Sequence, residues 1–295
     1  MLSQPAGQPS CPVPGRASRG VRVSAALDLL LVAEATAREA GLLLVEGQRG
    51  PVTVAETKSS PTDVVTAVDL ASEELIRARI LADRPDDGFV GEEGDDLPSS
   101  SGVTWIADPI DGTVNYLYGI AQFAVSIAAS FDGTVVAGVV HNPMSGETFT
   151  AALGEGARLD GRAISVGSCA DVSAALVGTG FGYRADVRAQ QAIETSRLLP
   201  TVRDVRRIGS AALDLCFVAC GRFDAYVERG LKAWDLAAGR LIVTEAGGRV
   251  EGLRGAEAGE LIVTAASADL YDAFHERLLA AGFGDWPLPE WPTPG

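Results

Sequence analysis

The sequence predicts a protein of mixed α and β structure built in layers, and three observations support this fold class. Residues 24–46 carry apolar side chains at helical spacing. Residues 121–131 instead alternate strictly between two faces, as a β-strand does. After a glycine-rich stretch at 154–161, further predicted strands alternate with helices. Such a mixed order of elements packs as helix and sheet layers.

Two amphipathic helices are predicted in the first part of the chain. The second runs from Leu70 to Asp83 with Leu75, Ile76 and Ile80 on its buried face, and the proline that soon follows ends it. The first occupies residues 24–46, where polar side chains lie opposite an apolar face formed by Leu27, Leu30, Leu31, Ala35 and Leu42.

An antiparallel sheet is predicted in the middle of the chain. The Asp132-Gly133 pair is typical of a tight turn and would join the strand at 121–131 to a second strand at Val135–Val140. A third strand at Thr148–Ala152 extends this hairpin. Beyond the glycine-rich stretch, the pattern predicts strands near Ala175 and Arg203 and helices near Gln190, Ala211 and Leu236.

The composition divides the chain into two halves with short ends. Residues 1–22 predict a disordered extension because they are rich in proline, glycine and serine. The glycine-rich stretch predicts a boundary near residue 160, so that residues 23–160 form an N-terminal half and residues 161–285 a C-terminal half. Residues 286–295 predict a polar tail.

Charge and cysteine content exclude several function classes. Acidic residues outnumber basic ones 39 to 24, and the formal net charge of -15 would repel a nucleic acid. The same excess suits a protein that binds divalent cations. The four cysteines form no CxxC pair and there are two histidines, so we expect no zinc or haem site and a reducing cytoplasm. The apolar run at 25–33 is too short to span a membrane.

The segment Trp105–Thr113, with the sequence WIADPIDGT, is the most informative in the chain. A short apolar strand delivers Asp108 and Asp111 directly to a Gly-Thr pair that can begin a helix. The proline after Asp108 favours an extended backbone, which would point that carboxylate into a cleft. The N–H groups of Gly112 and Thr113 could bind an anion. Carboxylates for a hard cation and amides for a phosphate therefore meet in one turn.

Two further groups of acidic residues stand at the ends of predicted elements. Glu92 and Glu93 follow a predicted strand end, and Asp235 lies at the N-cap position before a helix from Leu236 to Ala246. Each alone has an ordinary explanation, a turn or helix cap for the aspartates and a solvated surface for the glutamates. Together they favour a site for two or three magnesium ions, because such a site needs several converging carboxylates.

These segments together resemble the inositol monophosphatase family. The run Asp108–Thr113 is similar to its first signature, and Trp234-Asp-Leu-Ala-Ala-Gly is similar to its second. The segment from Lys58 to Asp69 and the run Gly91-Glu-Glu also match family elements, although Lys58 could be a surface lysine and Asp69 a helix cap. The resemblance covers roughly residues 24–282 and implies a layered αβαβα sandwich of the sugar phosphatase type.

The resemblance also implies which residues act. Two or three Mg²⁺ ions, with Mn²⁺ as a substitute, would be held by Glu92, Asp108, the carbonyl of Ile110, Asp111 and Asp235. Glu92 and Thr113 would orient the water that the metal activates, and Asp69 would support the threonine hydroxyl. Lys58 and Glu93 would have supporting roles. Phosphate and polyol contacts would come from Asp111, Gly112, Thr113, Gly209, Ala211, Glu228 and Asp235.

The reaction that the resemblance implies is hydrolysis of myo-inositol monophosphate to myo-inositol and phosphate, without a covalent intermediate and with sensitivity to lithium. Glu228 follows a predicted strand, and its carboxylate could accept two vicinal hydroxyls of a small phosphorylated polyol. Histidinol phosphate, fructose 1,6-bisphosphate and nucleotide 3'-phosphates stay open as substrates, as does an additional regulatory binding role. The resemblance implies a homodimer, and we expect neither nucleic acid nor a membrane as partner.

Overall fold

The computed structural model describes residues 16–50, 52, 54–57 and 64–285. The predicted tail and most of the predicted extension lie outside these residues, as does Lys58. In the described part, no helix is both long and apolar enough to cross a membrane. The helices there are α1 (Arg16–Gly47), α2 (Ala67–Asp83), α3 (Thr113–Leu117), α4 (Ala185–Leu198), α5 (Ala211–Ala219), α6 (Ala233–Glu245) and α7 (Ala268–Ala281), with short 3-10 segments at Val172–Ala174 and Leu199–Thr201.

The strands of the described residues form three sheets. A two-stranded antiparallel pair consists of β1 (Val54–Thr57) and β2 (Val64–Thr66). A seven-stranded sheet contains, in spatial order, β3 (Gly88–Gly91), β4 (Val103–Asp111), β5 (Ala124–Phe131), β6 (Thr134–His141), β7 (Thr148–Ala152), β8 (Ala157–Leu159) and β9 (Arg162–Ala163). A five-stranded sheet in the order β11-β10-β12-β14-β13 is formed by β10 (Leu176–Thr179), β11 (Asp204–Arg206), β12 (Ala225–Glu228), β13 (Gly248–Glu251) and β14 (Val263–Ser267).

Helices and sheets stack in five layers. α1 and α2 cover one face of the seven-stranded sheet, where Ala33 and Ile76 pack with Trp105. α5 and α6 lie between the two large sheets and share one core with both. α7 packs on the outer face of the five-stranded sheet through Leu270 and Phe274, and α4 lies beside α7. This αβαβα order confirms the predicted fold class.

The predicted elements of the central region are confirmed. Asp132 and Gly133 have φ values of 48° and 78°, the left-handed backbone that a two-residue hairpin turn requires, and they join β5 to β6. β7 has the predicted bounds. β5 is buried along nearly its whole length because helices cover both faces of the sheet. The strands predicted near Ala175 and Arg203 are β10 and β11, and α4, α5 and α6 are the predicted later helices.

The buried face predicted for the first helix is wrong. α1 begins at Arg16, earlier than predicted, and Leu31 and Leu42 are 66% and 73% exposed. Its buried face instead carries small residues such as Ala33, Ala37 and Ala40, with Leu29 before and Leu44 after them along the helix. Small side chains allow α1 to approach the sheet closely: a Cβ added at Gly41 of α1 would lie 2.6 Å from Cδ2 of His141 in β6. Close packing of α1 against the sheet therefore favours small residues in the middle of its buried face.

The two large sheets arise from either side of the predicted boundary. The seven-stranded sheet ends at Ala163 and the five-stranded sheet begins at Leu176. However, α5 and α6 come from the C-terminal part of the chain and pack on the seven-stranded sheet. The helix layer is thus shared, and the division into two halves at residue 160 stays a prediction.

Candidate active site

The two aspartates of β4 reach the same end of the sheet because the strand is irregular there. Residues three apart on a regular strand point to opposite faces. In β4, Asp108 pairs with Ser126 but Asp111 pairs with Ala124, so one extra residue is inserted between the aspartates. The N–H of Ile110 donates to Asp108 Oδ1 at 2.9 Å, which fixes that carboxylate. Both aspartates are buried.

Asp235 completes a cluster of three carboxylates. The N-cap position predicted for it is wrong, because α6 already begins at Ala233 and Asp235 is its third residue. From there its side chain accepts the N–H of Lys232 at 2.6 Å, which closes the first turn. Carboxylate oxygens of Asp108, Asp111 and Asp235 all lie within 4.8 Å of one another. We call this group the carboxylate cluster.

The ionised form of the carboxylate cluster would be stabilised by a bound cation. Burial, followed by the charges of Glu92, Asp111 and Asp235, raises the pKa of Asp108 well above its usual range. Burial and then the charge of Asp111 likewise raise the pKa of Asp235. A bound divalent ion reverses both effects, because it neutralises the charges that repel one another. Carboxylate oxygens are also the ligands that Mg²⁺ prefers, so these residues fit such an ion.

Asp111 is bound by the beginning of α5. The hydroxyl of Ser210 and the N–H of Ala212 donate to Asp111 Oδ2, the latter at 2.7 Å, and the N–H of Ala211 lies 3.2 Å from Oδ1. Burial raises the pKa of Asp111 to about 6, although these three bonds favour the ionised form. Sequence reasoning missed Ser210, and its signal was a serine directly before a helix.

Thr113 begins α3 and contacts a residue of α2. Its hydroxyl oxygen lies 3.1 Å from Asp69 Oδ1 and 3.1 Å from the carbonyl of Ile110. Asp69 is held in turn by Thr66, whose N–H donates to Asp69 Oδ2 at 2.8 Å and whose hydroxyl donates to the same oxygen. The structure thus brings Asp69 and Thr113 together, and their catalytic roles stay predictions.

The predicted phosphate and polyol contacts lie close together. Gly112 has φ 100°, and a Cβ there would lie 3.0 Å from the carbonyl of Gly209, so the two glycine segments touch. Asn115 holds them in place, because its side-chain amide donates to Ile208 O at 2.9 Å and to Gln122 O at 2.6 Å. Sequence reasoning missed Asn115, since nothing local to it marks a contact with a segment so distant in the chain.

Glu92 lies next to the carboxylate cluster without joining it. Its charge is one of the causes that raise the pKa values of Asp108, Asp111 and Asp235. It follows β3, as predicted, but is not one of the three residues whose oxygens lie within 4.8 Å. The N–H of Glu93 donates to Glu73 Oε2 at 2.8 Å. Glu93 therefore contributes a backbone contact here, and its supporting role stays a prediction.

Glu228 ends β12, where two neighbours fix its side chain. The hydroxyl of Tyr226 donates to Glu228 Oε2, and a Cβ added at Gly180 would overlap the Glu228 carboxylate. Burial raises the pKa of Glu228 to about 7, while the Tyr226 bond lowers it and the charge of Asp111 raises it further. Asp111 is thus close enough to influence the pKa of Glu228, and the role of Glu228 in binding a polyol stays a prediction.

A buried acid that sequence reasoning missed lies beside Glu228. Asp214 of α5 is 1% exposed, and neither of its carboxylate oxygens has a hydrogen-bond partner among the described residues. Burial, followed by the charges of Glu228 and Asp111, raises the pKa of Asp214 well above its usual range. An ionised carboxylate is costly in such surroundings, so burial favours the protonated form of Asp214.

Comparison with known proteins agrees with this geometry. The model of the inositol monophosphatase family matches residues 26–282. Inositol-1-monophosphatase SuhB of Mycobacterium tuberculosis (strain ATCC 25618 / H37Rv) is 51% identical over 235 residues, which cover 76% of this chain and 79% of that protein. Nus factor SuhB of Pasteurella multocida (strain Pm70) is 41% identical over 224 residues, which cover 75% of this chain and 84% of that protein.

A solved structure supports the same relationship. The crystal structure of the extragenic suppressor protein suhB from Bartonella henselae aligns with a TM-score of 0.81 at 34% sequence identity. The alignment covers 85% of this chain and 98% of that one. The sequence match, the shared fold and the acidic cluster together show that this chain belongs to the inositol monophosphatase family of metal-dependent phosphatases.

Proposed function

We propose that this chain is a magnesium-dependent phosphomonoesterase that hydrolyses inositol monophosphate. The observation that carries the proposal is the carboxylate cluster itself, in which oxygens of Asp108, Asp111 and Asp235 lie within 4.8 Å of one another beside the start of α3. Such a group of hard oxygen ligands suits Mg²⁺. When bound, the metal supplies a water of lowered pKa and stabilises the charge that develops on the leaving oxygen.

Thr113 and Asp69 can orient the attacking water through hydrogen bonds. The Thr113 hydroxyl has one hydrogen, which it can give to Asp69 Oδ1 at 3.1 Å. Its lone pairs can then accept a hydrogen bond from the water, so the hydroxyl orients the water. Asp69 does not need to move for this, because Thr66 holds its other oxygen. We therefore assign Thr113 to orienting the water and Asp69 to fixing Thr113.

Glu228 supports the choice of a polyol as leaving group. Tyr226 binds Oε2, which leaves Oε1 as the oxygen that we assign to a ring hydroxyl. The close approach of Gly180 holds the carboxylate in one position, so that it can select the arrangement of hydroxyls. The relative from M. tuberculosis is named inositol-1-monophosphatase, and we extend that substrate to this chain as part of the proposal.

The proposal is tested by phosphate release from a panel of substrates. The purified chain is assayed on inositol 1-phosphate, histidinol phosphate, fructose 1,6-bisphosphate and a nucleotide 3'-phosphate, with Mg²⁺ and after chelation by EDTA. We expect the highest kcat/KM on inositol 1-phosphate, no release after chelation and recovery on adding Mg²⁺. A different preferred substrate would overturn the inositol assignment, and release that is indifferent to chelation would overturn the metal mechanism.

A matched pair of variants ties the activity to the site. Asp108→Asn removes a carboxylate of the cluster and should abolish phosphate release. Asp83→Asn changes an exposed acid at the end of α2 in the same way and should leave the rate unchanged.

Lithium at millimolar concentration should inhibit the wild type.

A second candidate function is an additional regulatory binding role. One observation favours it: the relative from P. multocida carries the name Nus factor SuhB. We propose that any such role is independent of catalysis, so immobilised wild-type and Asp108→Asn chains should capture the same proteins from a lysate. Loss of capture with the variant would contradict this independence. We also propose that the protein is cytoplasmic and forms a homodimer. Sedimentation equilibrium tests the homodimer.

A further inference from the structure

The segment from residue 91 to residue 95, which we call the Glu92 loop, is closed at its base by backbone hydrogen bonds. Its tip requires contacts from elsewhere to hold it in one conformation. The base is closed by Phe89 and Leu97, which exchange backbone hydrogen bonds of 2.9 Å and 2.8 Å. Two glycines, Gly91 and Gly94, lie on either side of the acidic pair within the loop. Glycines and neighbouring like charges do not by themselves hold a backbone in one conformation.

Glu73 of α2 lies directly beneath the Glu92 loop. Its side chain is buried, with the residue 4% exposed, and its Oε2 accepts the N–H of Glu93 at 2.8 Å. A Cβ added at Gly94 would lie 2.7 Å from Glu73 Oε1, and one added at Gly91 would overlap the same carboxylate. The backbone of the loop therefore rests on the Glu73 carboxylate on both sides of the acidic pair.

Arg77, one helical turn later, holds the far end of the loop. Its Nη2 lies 3.4 Å from Glu73 Oε1 and donates to the carbonyl of Asp95 at 2.8 Å. Its guanidinium carbon also lies 4.5 Å from the centre of the Phe89 ring. The positive charge of Arg77 therefore lies beside the buried side chain of Glu73.

The same helix also fixes the opposite side of the site. Asp69, four residues before Glu73, binds the Thr113 hydroxyl at 3.1 Å. Ser72 donates to the carbonyl of Pro109 at 3.3 Å, next to the carboxylate cluster. Residues four apart share one face of a helix, so α2 presents Asp69, Glu73 and Arg77 toward the site side. One rigid element thus contacts both the Thr113 segment and the Glu92 loop.

We propose that Glu73 and Arg77 are positioning residues that hold the Glu92 loop so that Glu92 faces the carboxylate cluster; this rests on the proposed function. A buried ion pair that served stability alone could be replaced by apolar side chains at little cost. Here the Glu73 side chain is 5% exposed and the Arg77 side chain 26% exposed, and the pair instead binds the backbone groups Glu93 N–H and Asp95 C=O, which apolar side chains could not bind. Its contacts are therefore suited to fixing the loop that carries Glu92.

The test measures metal binding and turnover in separate experiments. Mn²⁺ binding without substrate is followed by electron paramagnetic resonance, and kcat is measured at saturating Mg²⁺. Glu73→Ala should weaken Mn²⁺ binding and lower kcat by about tenfold, as loss of residues that orient a metal site does. Glu73→Gln should lose less, because it keeps an acceptor for the Glu93 N–H. Glu74→Ala, at the exposed neighbouring position, is the matched control and should resemble the wild type.

A double-mutant cycle with Glu92 separates positioning from general stability. If Glu73 acts through Glu92, adding Glu73→Ala to Glu92→Gln should lower kcat by less than about twofold further. Wild-type Mn²⁺ binding and kcat in Glu73→Ala would overturn the proposal, as would a full additional loss in the Glu92→Gln background. Should Glu73→Ala fail to fold, Glu73→Gln and Arg77→Gln are compared in the same cycle.

The readouts also distinguish this proposal from the proposed function. A wild type that binds Mn²⁺ but releases no phosphate from any substrate would contradict the phosphatase assignment. The Mn²⁺ titrations of the Glu73 variants would still decide whether Glu73 positions the site: weakened binding supports the proposal, and unchanged binding overturns it.

Discussion

Thr113 and Asp69 are 44 residues apart in sequence, yet Thr113 Oγ1 lies 3.1 Å from Asp69 Oδ1. Asp69 also forms a capping box with Thr66 at the start of α2. One buried carboxylate therefore closes a helix and fixes a hydroxyl of the candidate site. The N-cap of α2 is Thr66, and Asp69 is the third residue of the helix, so the N-cap position expected for Asp69 is wrong, although its carboxylate still closes the first turn.

Replacing Asp69 by Asn should impair turnover more than stability. Thr66 and Thr113 donate to different oxygens of Asp69, and asparagine replaces one of these oxygens by an NH₂ group, so it cannot accept from both in this geometry. We expect kcat to fall by about 10- to 100-fold, as for other groups that orient a metal site, with KM nearly unchanged. The altered cap should cost about 1 kcal/mol of unfolding free energy. Steady-state kinetics and thermal unfolding measure both, with Asp83→Asn as control; a wild-type kcat would contradict the assignment.

Stabilisation by Mg²⁺ should depend on pH. The raised pKa of Asp111, about 6, means that the metal-free fold binds protons more tightly than the unfolded chain, so its stability falls as pH rises toward that value. Mg²⁺ binds the ionised carboxylates and removes this cost. The increase in Tm on adding Mg²⁺ should therefore be larger at about pH 7.5 than at about pH 5. Calorimetric scans at matched ionic strength test this, and an equal increase at both pH values would count against it.

Asp214→Asn should become relatively more stabilising as pH rises. The pKa of Asp214 is raised by burial, so the unfolded chain ionises this group at a lower pH than the folded chain does. The wild type then loses up to about 1.4 kcal/mol per pH unit above the unfolded pKa of about 3.9, and the variant does not. The Tm of the variant minus that of the wild type should grow from about pH 4 to about pH 7. A difference that is independent of pH would show that the pKa of Asp214 is not raised in the fold.

Gly180→Ala should affect polyol recognition and spare the phosphate chemistry. The added methyl group would overlap the Glu228 carboxylate and displace it. We expect kcat/KM for inositol 1-phosphate to fall by about tenfold or more, since a misplaced polar group leaves hydroxyls unpaired. The rate on an aryl phosphate, which has no hydroxyls to bind, should stay near that of the wild type. Equal losses on both substrates would instead place Gly180 in the phosphate site or the fold.

Local sequence patterns predicted much of the fold and the core of the candidate site. Asp108 and Asp111 were found because they lie in the last part of a strand, and Glu92 because it follows one; the pattern of both strands can be recognised without knowledge of their neighbours. The Asp132-Gly133 hairpin was found for the same reason. Residues that act through tertiary contacts were missed: Asn115 and Glu73 bond to distant backbone groups, and no local pattern reveals the partner.

Two errors show where local patterns mislead. The bulky Leu31 and Leu42 of α1 face outward, since the close approach of α1 to the sheet favours small side chains. Asp235 is the third residue of α6 and not its N-cap, because its carboxylate bonds back to Lys232 from inside the first turn. In both cases the helix itself was predicted correctly. The direction of the leucine side chains and the position of the aspartate in its helix were set by the surrounding structure.

The central claim is that the carboxylate cluster binds the metal required for phosphate release. The most direct measurement is the rate of phosphate release from inositol 1-phosphate as a function of Mg²⁺ concentration, for metal-free wild type and for Asp235→Asn. We expect no release without metal, saturation by Mg²⁺ in the wild type, and a loss of at least about 100-fold in the variant. Release by the metal-free wild type, or a variant that matches it at every Mg²⁺ concentration, would contradict the account.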